Sequence, residues 1–254
     1  MKTRERLERL DLELSRSEKL HLQEASTLLH VSEMTVRRDL RQRQPGDPLL
    51  VGGYIVSDPA RRQSKSYLVT EAGKQNKGLK KNIAAYCAGM IRSGQTVFLD
   101  CGSTTEEIAH LLPEDLSVTV LCNSLNICLA LCHKKNCKVY LSGGEFNPDN
   151  LLFSHSGDSP MNDFRPDIAF ISAAGVHKEH GVTCHNMSEV SDKRKALKNS
   201  KYKVLVCDSS KIDQSASAFV TEIEAFDTLV TDKHIGKKVR KALEGLVEIL
   251  LIEG

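Results

Sequence analysis

Between Thr96 and Ile252, short unbroken apolar runs alternate with segments of helical patterning. That alternation narrows the fold more than any other feature of the chain. The runs are Thr96 to Leu99, Val118 to Cys122, Val139 to Leu141, Ile168 to Ile171, Val204 to Cys207, Thr228 to Val230 and Val247 to Ile252. Helical spacing appears at Leu79 to Ile91, Thr105 to Leu112, Leu125 to His133, Glu189 to Asn199 and His234 to Leu243. Strands that are apolar on both faces and separated by helices predict an α/β domain with a mostly parallel sheet covered on both sides. In such sheets the ligand cleft lies beyond the carboxyl ends of the strands. Those ends are polar here: DCGSTT from Asp100, Asn123-Ser124, SGGE from Ser142, SAAG from Ser172 and DSSK from Asp208. Their convergence predicts a pocket for a small hydrophilic molecule.

The first cluster is the sharpest. Asp100, Gly102, Ser103, Thr104 and Thr105 stand between a strand and a helix. A helix N-terminus offers free amides and partial positive charge, which suits a phosphate. Gly102 admits close backbone approach, although any strand-to-helix turn also favours a glycine and a capping hydroxyl. The G-x-x-x-x-G-K-[ST] spacing is absent, so a compact monophosphate fits better than a nucleotide. Lys211 can bring a cation to the same cleft or be an ordinary loop lysine. Glu189 and Lys193, one turn apart, either reach a sugar together or form a simple surface ion pair. No metal is expected: His177, His180 and His185 match no ligand spacing, and Cys128, Cys132 and His133 lack a fourth ligand.

A different pattern occupies the first 56 residues. LQEASTLLHVSEMTVRRDL, Leu22 to Leu40, reads as two short helices around a tight corner. Ala25, Leu28 and Leu29 form one apolar face, Val36 and Leu40 another, and Val31 plugs the corner between them. Ser32 is a natural N-cap. The opposite face of the second helix offers Thr35, Arg37, Arg38 and Arg41. Leu7, Leu10 and Leu14 supply a backing helix, and after the Pro45 to Pro48 break LLVGGYIV reads as a hairpin turning at Gly52-Gly53. Three helices and a hairpin make a winged helix-turn-helix, whose second helix enters the DNA major groove. A solvated arginine face is the plainer alternative.

Residues 57–78 are polar and charged, with at most one turn of structure at Tyr67 to Val69, and read as a linker. The expected organisation is thus a DNA-binding head over 1–56, the linker, and an effector-binding domain over 79–254. The net charge of +2 over 254 residues excludes a generally cationic nucleic-acid coat, so DNA attraction rests on the local cluster of Arg37, Arg38, Arg41 and Arg43. No apolar run is long enough to span a membrane. MKTRERLERL lacks the apolar core of a secretion signal, and eight cysteines without a C-x-x-C pair point to reduced, mostly buried thiols. A cytoplasmic protein is expected.

VSEMTVRRDL, the hairpin Gly-Gly, LDCGSTT, CNS, SGGE and DSSK, in this order, resemble the DeoR family of bacterial transcriptional regulators. The resemblance runs from about Arg4 to Ile252. It implies a repressor that binds operator DNA, with Ser32, Glu33, Thr35, Arg37, Arg38 and Arg41 at the interface. It also implies a C-terminal domain with the fold of ribose-5-phosphate isomerase, taking a phosphorylated sugar and no further cofactor. Asp100, Gly102, Ser103, Thr104 and Thr105 would hold the phosphate end with Lys211, and Glu189 and Lys193 would lie near the sugar. Asn123, Gly143, Gly144 and Gly175 complete the expected effector site. LHLQEASTLL, LLVGGYIV, GGEF, PDIAF and SAAGVH resemble the version of the family that answers to deoxyribose 5-phosphate, which is therefore the expected effector. A homo-oligomer, at least a dimer, is expected because one short helix on one half-site gives little affinity.

Three positions depart from the family pattern. His21 stands where a serine or threonine N-cap is common, and His30 stands in place of a glycine. Leu50-Val51 stands where a basic residue usually precedes the Gly-Gly. The last departure shifts the expected recognition onto the helix after Ser32. An enzyme of pentose-phosphate chemistry, with Glu189 and Asp100 as first candidates for acid–base work, is the rival reading. A helical adaptor that does not touch DNA is the third.

Overall fold

The computed structural model describes residues 3–14, 19–42, 47–56, 76–148, 150–155 and 160–253. Arg43, the Pro45-Gly46 break, the Tyr67 to Val69 turn and most of the expected linker, residues 57–75, lie outside them. The chain divides into two compact units, Met1–Ser66 and Tyr67–Gly254.

The first unit contains helices α1 (Thr3–Leu14), α2 (Leu22–Leu29) and α3 (Glu33–Arg41) and strands β1 (Lys19–His21), β2 (Leu49–Val51) and β3 (Tyr54–Val56). Leu7, Leu10 and Leu14 from α1 meet Leu22, Ala25, Leu29, Val36, Leu40 and Ile55 in one core. Leu22 joins Ala25 and Leu29 on the buried face of α2, and Leu28 is only half-buried. The hairpin turns on Gly52 and Gly53 at φ 58° and 86°, the left-handed pair that a two-residue turn between twisted strands requires. Strand β1 was not legible in the sequence. Its three residues carry no alternation, and it exists by pairing with β3, Leu20 opposite Ile55.

The second unit is built on a seven-stranded sheet of β4 (Thr96–Leu99), β5 (Val118–Cys122), β6 (Cys137–Leu141), β9 (Ile168–Ser172), β12 (Tyr202–Val206), β14 (Thr228–Asp232) and β15 (Glu248–Ile252). Every pair is parallel, in the order β15-β14-β12-β9-β4-β5-β6. Each expected apolar run is one of these strands. Successive residues serve opposite faces, which is why the runs are unbroken. Val97 and Leu99 pack in a core with Ile83, Ile108 and Leu131 from helices α4 (Lys77–Met90), α5 (Ser103–Leu111) and α6 (Leu125–Leu131). Phe98 and Ala169 pack in a second core with Val190, Leu197 and Leu243 from helices α7 (Met187–Asn199) and α8 (Lys237–Leu243). That second face also carries an unanticipated antiparallel sheet of β10 (Gly175–His177), β11 (Gly181–Cys184) and β13 (Ala218–Thr221), which contributes Val176, Val182 and Val220 to the core. A short hairpin, β7 (Glu145–Asn147) with β8 (Leu152–Ser154), follows β6.

The chain proceeds from β4 outward through β5 and β6, then returns to the other side of β4 with β9. The sheet order therefore reverses between β4 and β9. A crevice opens at the carboxyl ends of strands at such a switch point.

Candidate DNA interface and effector site

In the first unit, three local devices set the ends of α2 and the start of α3. The Nδ1 of His21 accepts from the amide of Gln23 at 3.3 Å, while Glu24 Oε2 accepts from the His21 amide at 2.9 Å. This is a reciprocal capping box in which an imidazole replaces the usual hydroxyl. His30 ends α2 in the left-handed region at φ 54°, ψ 41°, a conformation a Cβ makes mildly costly. Ser32 caps α3, its Oγ accepting from the Thr35 amide at 3.2 Å and lying 3.0 Å from Thr35 Oγ1.

Beyond that cap the acid and the bases of α3 part company. Asp39 is 2% exposed. Its carboxylate accepts from both Nε and Nη2 of Arg6, at 2.6 and 2.9 Å, and from Thr3 Oγ1 at 3.1 Å. The Arg6 hydrogen bonds hold the Asp39 carboxyl below its ordinary 3.8 despite burial. Arg37, Arg38 and Arg41 remain exposed, with no salt bridge among the described residues. Together with Thr35 and Met34, which is 75% exposed, they line one groove. Glu33 is exposed at the start of the helix. Met34 was not singled out by the sequence reading, because an apolar residue among charges looks like a spare core position. Removal of Asp39 leaves the surface beyond Glu33 cationic, the electrostatic footprint that a phosphate backbone attracts. On the wing, Lys19 of β1 lies 5.0 Å over the Tyr54 ring, a basic residue beside a hairpin that lacks one at Leu50 and Val51.

In the second unit two polar groupings occupy the switch point. The inner one is buried. Lys193, wholly buried on α7, donates to Asp100 Oδ2 and to Ser172 O at 3.1 Å, and faces Glu189 Oε2 at 3.5 Å. Burial works against the Lys193 charge, but Asp100 and Glu189 outweigh it and hold the ammonium well above the ordinary lysine range. Asp100 Oδ2 also accepts from Ser172 N and Oγ at 2.9 and 2.7 Å, tying β4 to β9. Glu189 accepts from Asn186 at 3.0 Å and Asn150 at 3.4 Å, and Asn123 donates to Asp192 at 3.3 Å. Four buried acceptors here, Asp100 Oδ1, Asn123 Oδ1, Asn150 Oδ1 and Asp192 Oδ1, have no hydrogen-bond partner among the described residues.

The outer grouping lines a cleft. Ser103 and Thr104, in the first turn of α5, face Ser172 and Ala173 after β9, Cys207 and Asp208 after β12, and the cations Lys80 and Lys211. Lys80 is 4% exposed. Desolvation lowers its affinity for a proton, nearby Lys211 adds to the effect, and Asp208, 3.9 Å away, opposes it. Lys80 was missed by sequence reasoning, and Ser172 was named only within its polar strand end, not as a site residue. Lys80 sits on a helix whose pattern reads as core, and Ser172 is one small polar residue among several.

The remaining expected residues lie elsewhere. Thr105 is turned inward, donating to Asp100 O at 2.6 Å and Gly102 O at 2.9 Å. Gly102 is a close-approach position, because a Cβ there would stand 2.6 Å from Ser172 Oγ. Gly175 is one too, with Gln214 O at 2.6 Å from such a Cβ. Gly143 and Gly144 take positive φ ahead of the β7–β8 hairpin. None of Thr105, Gly143, Gly144 and Gly175 lines the cleft. Among the described residues no group of three His, Cys, Asp or Glu is placed to hold a metal, and no helix is long and apolar enough to cross a membrane. Five cysteines are buried, and Cys132 is exposed.

Residues 6–54 match the DeoR-like helix-turn-helix domain and residues 75–233 the DeoR C terminal sensor domain. The chain belongs to the DeoR family. Within it, this chain is 41% identical to the deoxyribose operon repressor of Escherichia coli (strain K12) over 235 residues, 91% of this chain and 92% of that one. It is 28% identical to the HTH-type transcriptional repressor GlcR of Bacillus subtilis (strain 168), over 87% of this chain and 84% of that one. Among solved structures, ribose 5-phosphate isomerase A of Methanocaldococcus jannaschii is similar over 54% of this chain and 55% of its own, at 17% identity and a TM-score of 0.42. The groove beside α3 thus belongs to a DNA-binding head of this family, and the switch-point cleft to its sensor domain.

Proposed function

We propose that this DeoR-family protein is a cytoplasmic, homo-oligomeric repressor of deoxyribose catabolism genes, released from operator DNA by deoxyribose 5-phosphate. The observation that carries the effector class is the cleft where Lys80 and Lys211 face the hydroxyls of Ser103 and Thr104 at a helix N-terminus. Cations, hydroxyl donors and free amides converging on one small space are what a phosphate monoester needs. The buried acceptors of Asp100, Asn123 and Asn150, beside Glu189 and Lys193, supply partners for the hydroxyl donors of a short sugar. In this reading Asp100, Gly102 and Thr105 shape the phosphate end from behind, and Ser103, Thr104 and Lys211 touch it. The deoxy sugar is supported by the likeness to the deoxyribose operon repressor.

On the DNA side, Arg37, Arg38 and Arg41 serve phosphates or guanines, Glu33 and Thr35 reach base edges, and Ser32 positions the helix. The test is binding of the full chain to a duplex it enriches from a random-sequence pool, with and without deoxyribose 5-phosphate. Release by the sugar phosphate, lost in Lys211→Ala, is expected. Duplex binding that responds to no pentose phosphate refutes the effector. The rival, an isomerase, has the Asp100–Lys193–Glu189 network in its favour. Formation of ketose from ribose 5-phosphate by the purified chain would establish it.

A further inference from the structure

Asp208 joins the cleft to the first turn of α4. Its carboxylate, at the end of β12, is 1% exposed. Oδ1 accepts from Ser210 N at 3.1 Å, from Ser210 Oγ, and from Asn76 Nδ2 at 3.0 Å. Oδ2 faces Lys80 Nζ at 3.9 Å, an ion pair beyond hydrogen-bond reach. Lys80 also lines the cleft. One ammonium therefore stands between a fixed carboxylate and the place proposed for the effector phosphate.

Asn76 is the residue through which the chain enters α4 from the direction of the DNA-binding head. It sits at the N-cap in the left-handed region, φ 52° and ψ 33°, and its side chain makes no capping bond. Asparagine is among the best N-cap residues when its backbone is extended and its oxygen accepts from the first turn. It is also among the few residues with a Cβ that tolerate the left-handed region. The observed arrangement of Asn76 is left-handed with its amide on Asp208; an extended backbone that caps α4 is a second one that its chemistry allows.

We propose that these two arrangements form the switch by which a bound sugar phosphate acts on the chain leading to the head. The proposal rests on the reading of the cleft given above. A phosphate monoester carries more than one negative charge near neutral pH, so it competes with Asp208 for Lys80 and adds repulsion beside a buried carboxylate. Asp208 then shifts, its bond to Asn76 breaks, and Asn76 turns to cap α4. The change falls at Asn76, the first described residue after the sequence that leads from the head. Coupling of this kind requires one two-state element that both ligands bias, and Asn76 meets that requirement.

Asn76→Asp tests the switch in the full chain. Aspartate cannot donate to Asp208, is repelled by it, and caps a helix well, so the variant is held in the effector-bound arrangement. Two quantities are measured: calorimetric affinity for deoxyribose 5-phosphate, and affinity for the enriched duplex with and without that compound. The expected result is weaker duplex binding without effector, a with/without ratio near one, and effector affinity equal to or tighter than wild type, as reciprocal linkage demands. A variant that keeps the wild-type ratio, or loses effector binding, overturns the switch. Failure of the wild-type chain to bind deoxyribose 5-phosphate overturns the cleft reading and the switch together.

Discussion

Arg38 and Lys193 are both cations on helices, and the fold treats them in opposite ways. Arg38 stands on α3 with its neighbours Arg37 and Arg41, exposed and without a salt bridge among the described residues, and the acid next to it, Asp39, is taken up by Arg6. Lys193 on α7 is wholly buried and matched by Asp100, Ser172 and Glu189. An unmatched surface charge is available to a polyanion; a matched buried charge is part of the frame. The sensor unit sets two groupings a short distance apart, the inner compensated network of Lys193 and an outer cleft where Lys80, buried beside Asp208, and Lys211 face hydroxyls. The first grouping fixes β4 against β9, and the second lines the cleft proposed for the effector.

If that division is correct, removing a frame charge costs stability and removing a surface charge costs only binding. The largest effect is expected for Lys193→Met, which leaves Asp100 and Glu189 buried without their cation. Loss of ~3–5 kcal/mol from the sensor unit is the ordinary consequence, read by urea unfolding. A variant within ~1 kcal/mol of wild type would place Lys193 among the ligand-facing groups instead.

In the head, Arg6→Met strands the Asp39 carboxylate and is expected to cost about 1.5–3 kcal/mol. The pH dependence has a definite sign. Asp39 is held below its ordinary 3.8 in the folded state, so the pair's contribution is complete above that pH. It drains away as pH falls below 3.8 toward the lowered native value. Thermal unfolding between pH 5 and 2 should show this acid loss in wild type and a shallower one in Arg6→Met.

Arg38→Ala should leave unfolding unchanged and weaken duplex binding by about 1–3 kcal/mol. A loss confined to one operator position identifies a base reader, and an even loss across sequences identifies a phosphate contact. The smallest effect belongs to the start of α2: His21→Ala removes one half of the capping box and should cost about 1 kcal/mol, with His21→Ser restoring it. No loss in the alanine variant would deny the imidazole its capping role.

Much of this arrangement was legible in the sequence. Val97 to Leu99, Val118 to Cys122 and Val204 to Val206 alternate between two cores, and such runs admit little but buried parallel strands. Leu7, Leu10, Val36 and Leu40 fixed the helical head in the same way, through spacing within a single element. Strands β10, β11 and β13 escaped notice because they are short and draw their stability from one another and from α7. Asp39 lies among the arginines of α3 in the sequence, and only the fold brings Arg6, 33 residues away, onto it. Gly102 read as room for a ligand and is instead room for Ser172.

Local pattern, then, determined the elements, the helix-turn-helix corner, the parallel sheet and the polar strand ends, because periodicity and capping act over a few residues. Tertiary structure alone decided which of the polar groups face one another. Asp100 meets Lys193, Lys80 meets Asp208 and the cleft, and Asn76 is drawn to a carboxylate at the end of β12. Charges interact through space over a few ångströms, and only the folded sheet, reversing its order between β4 and β9, brings these residues within that range.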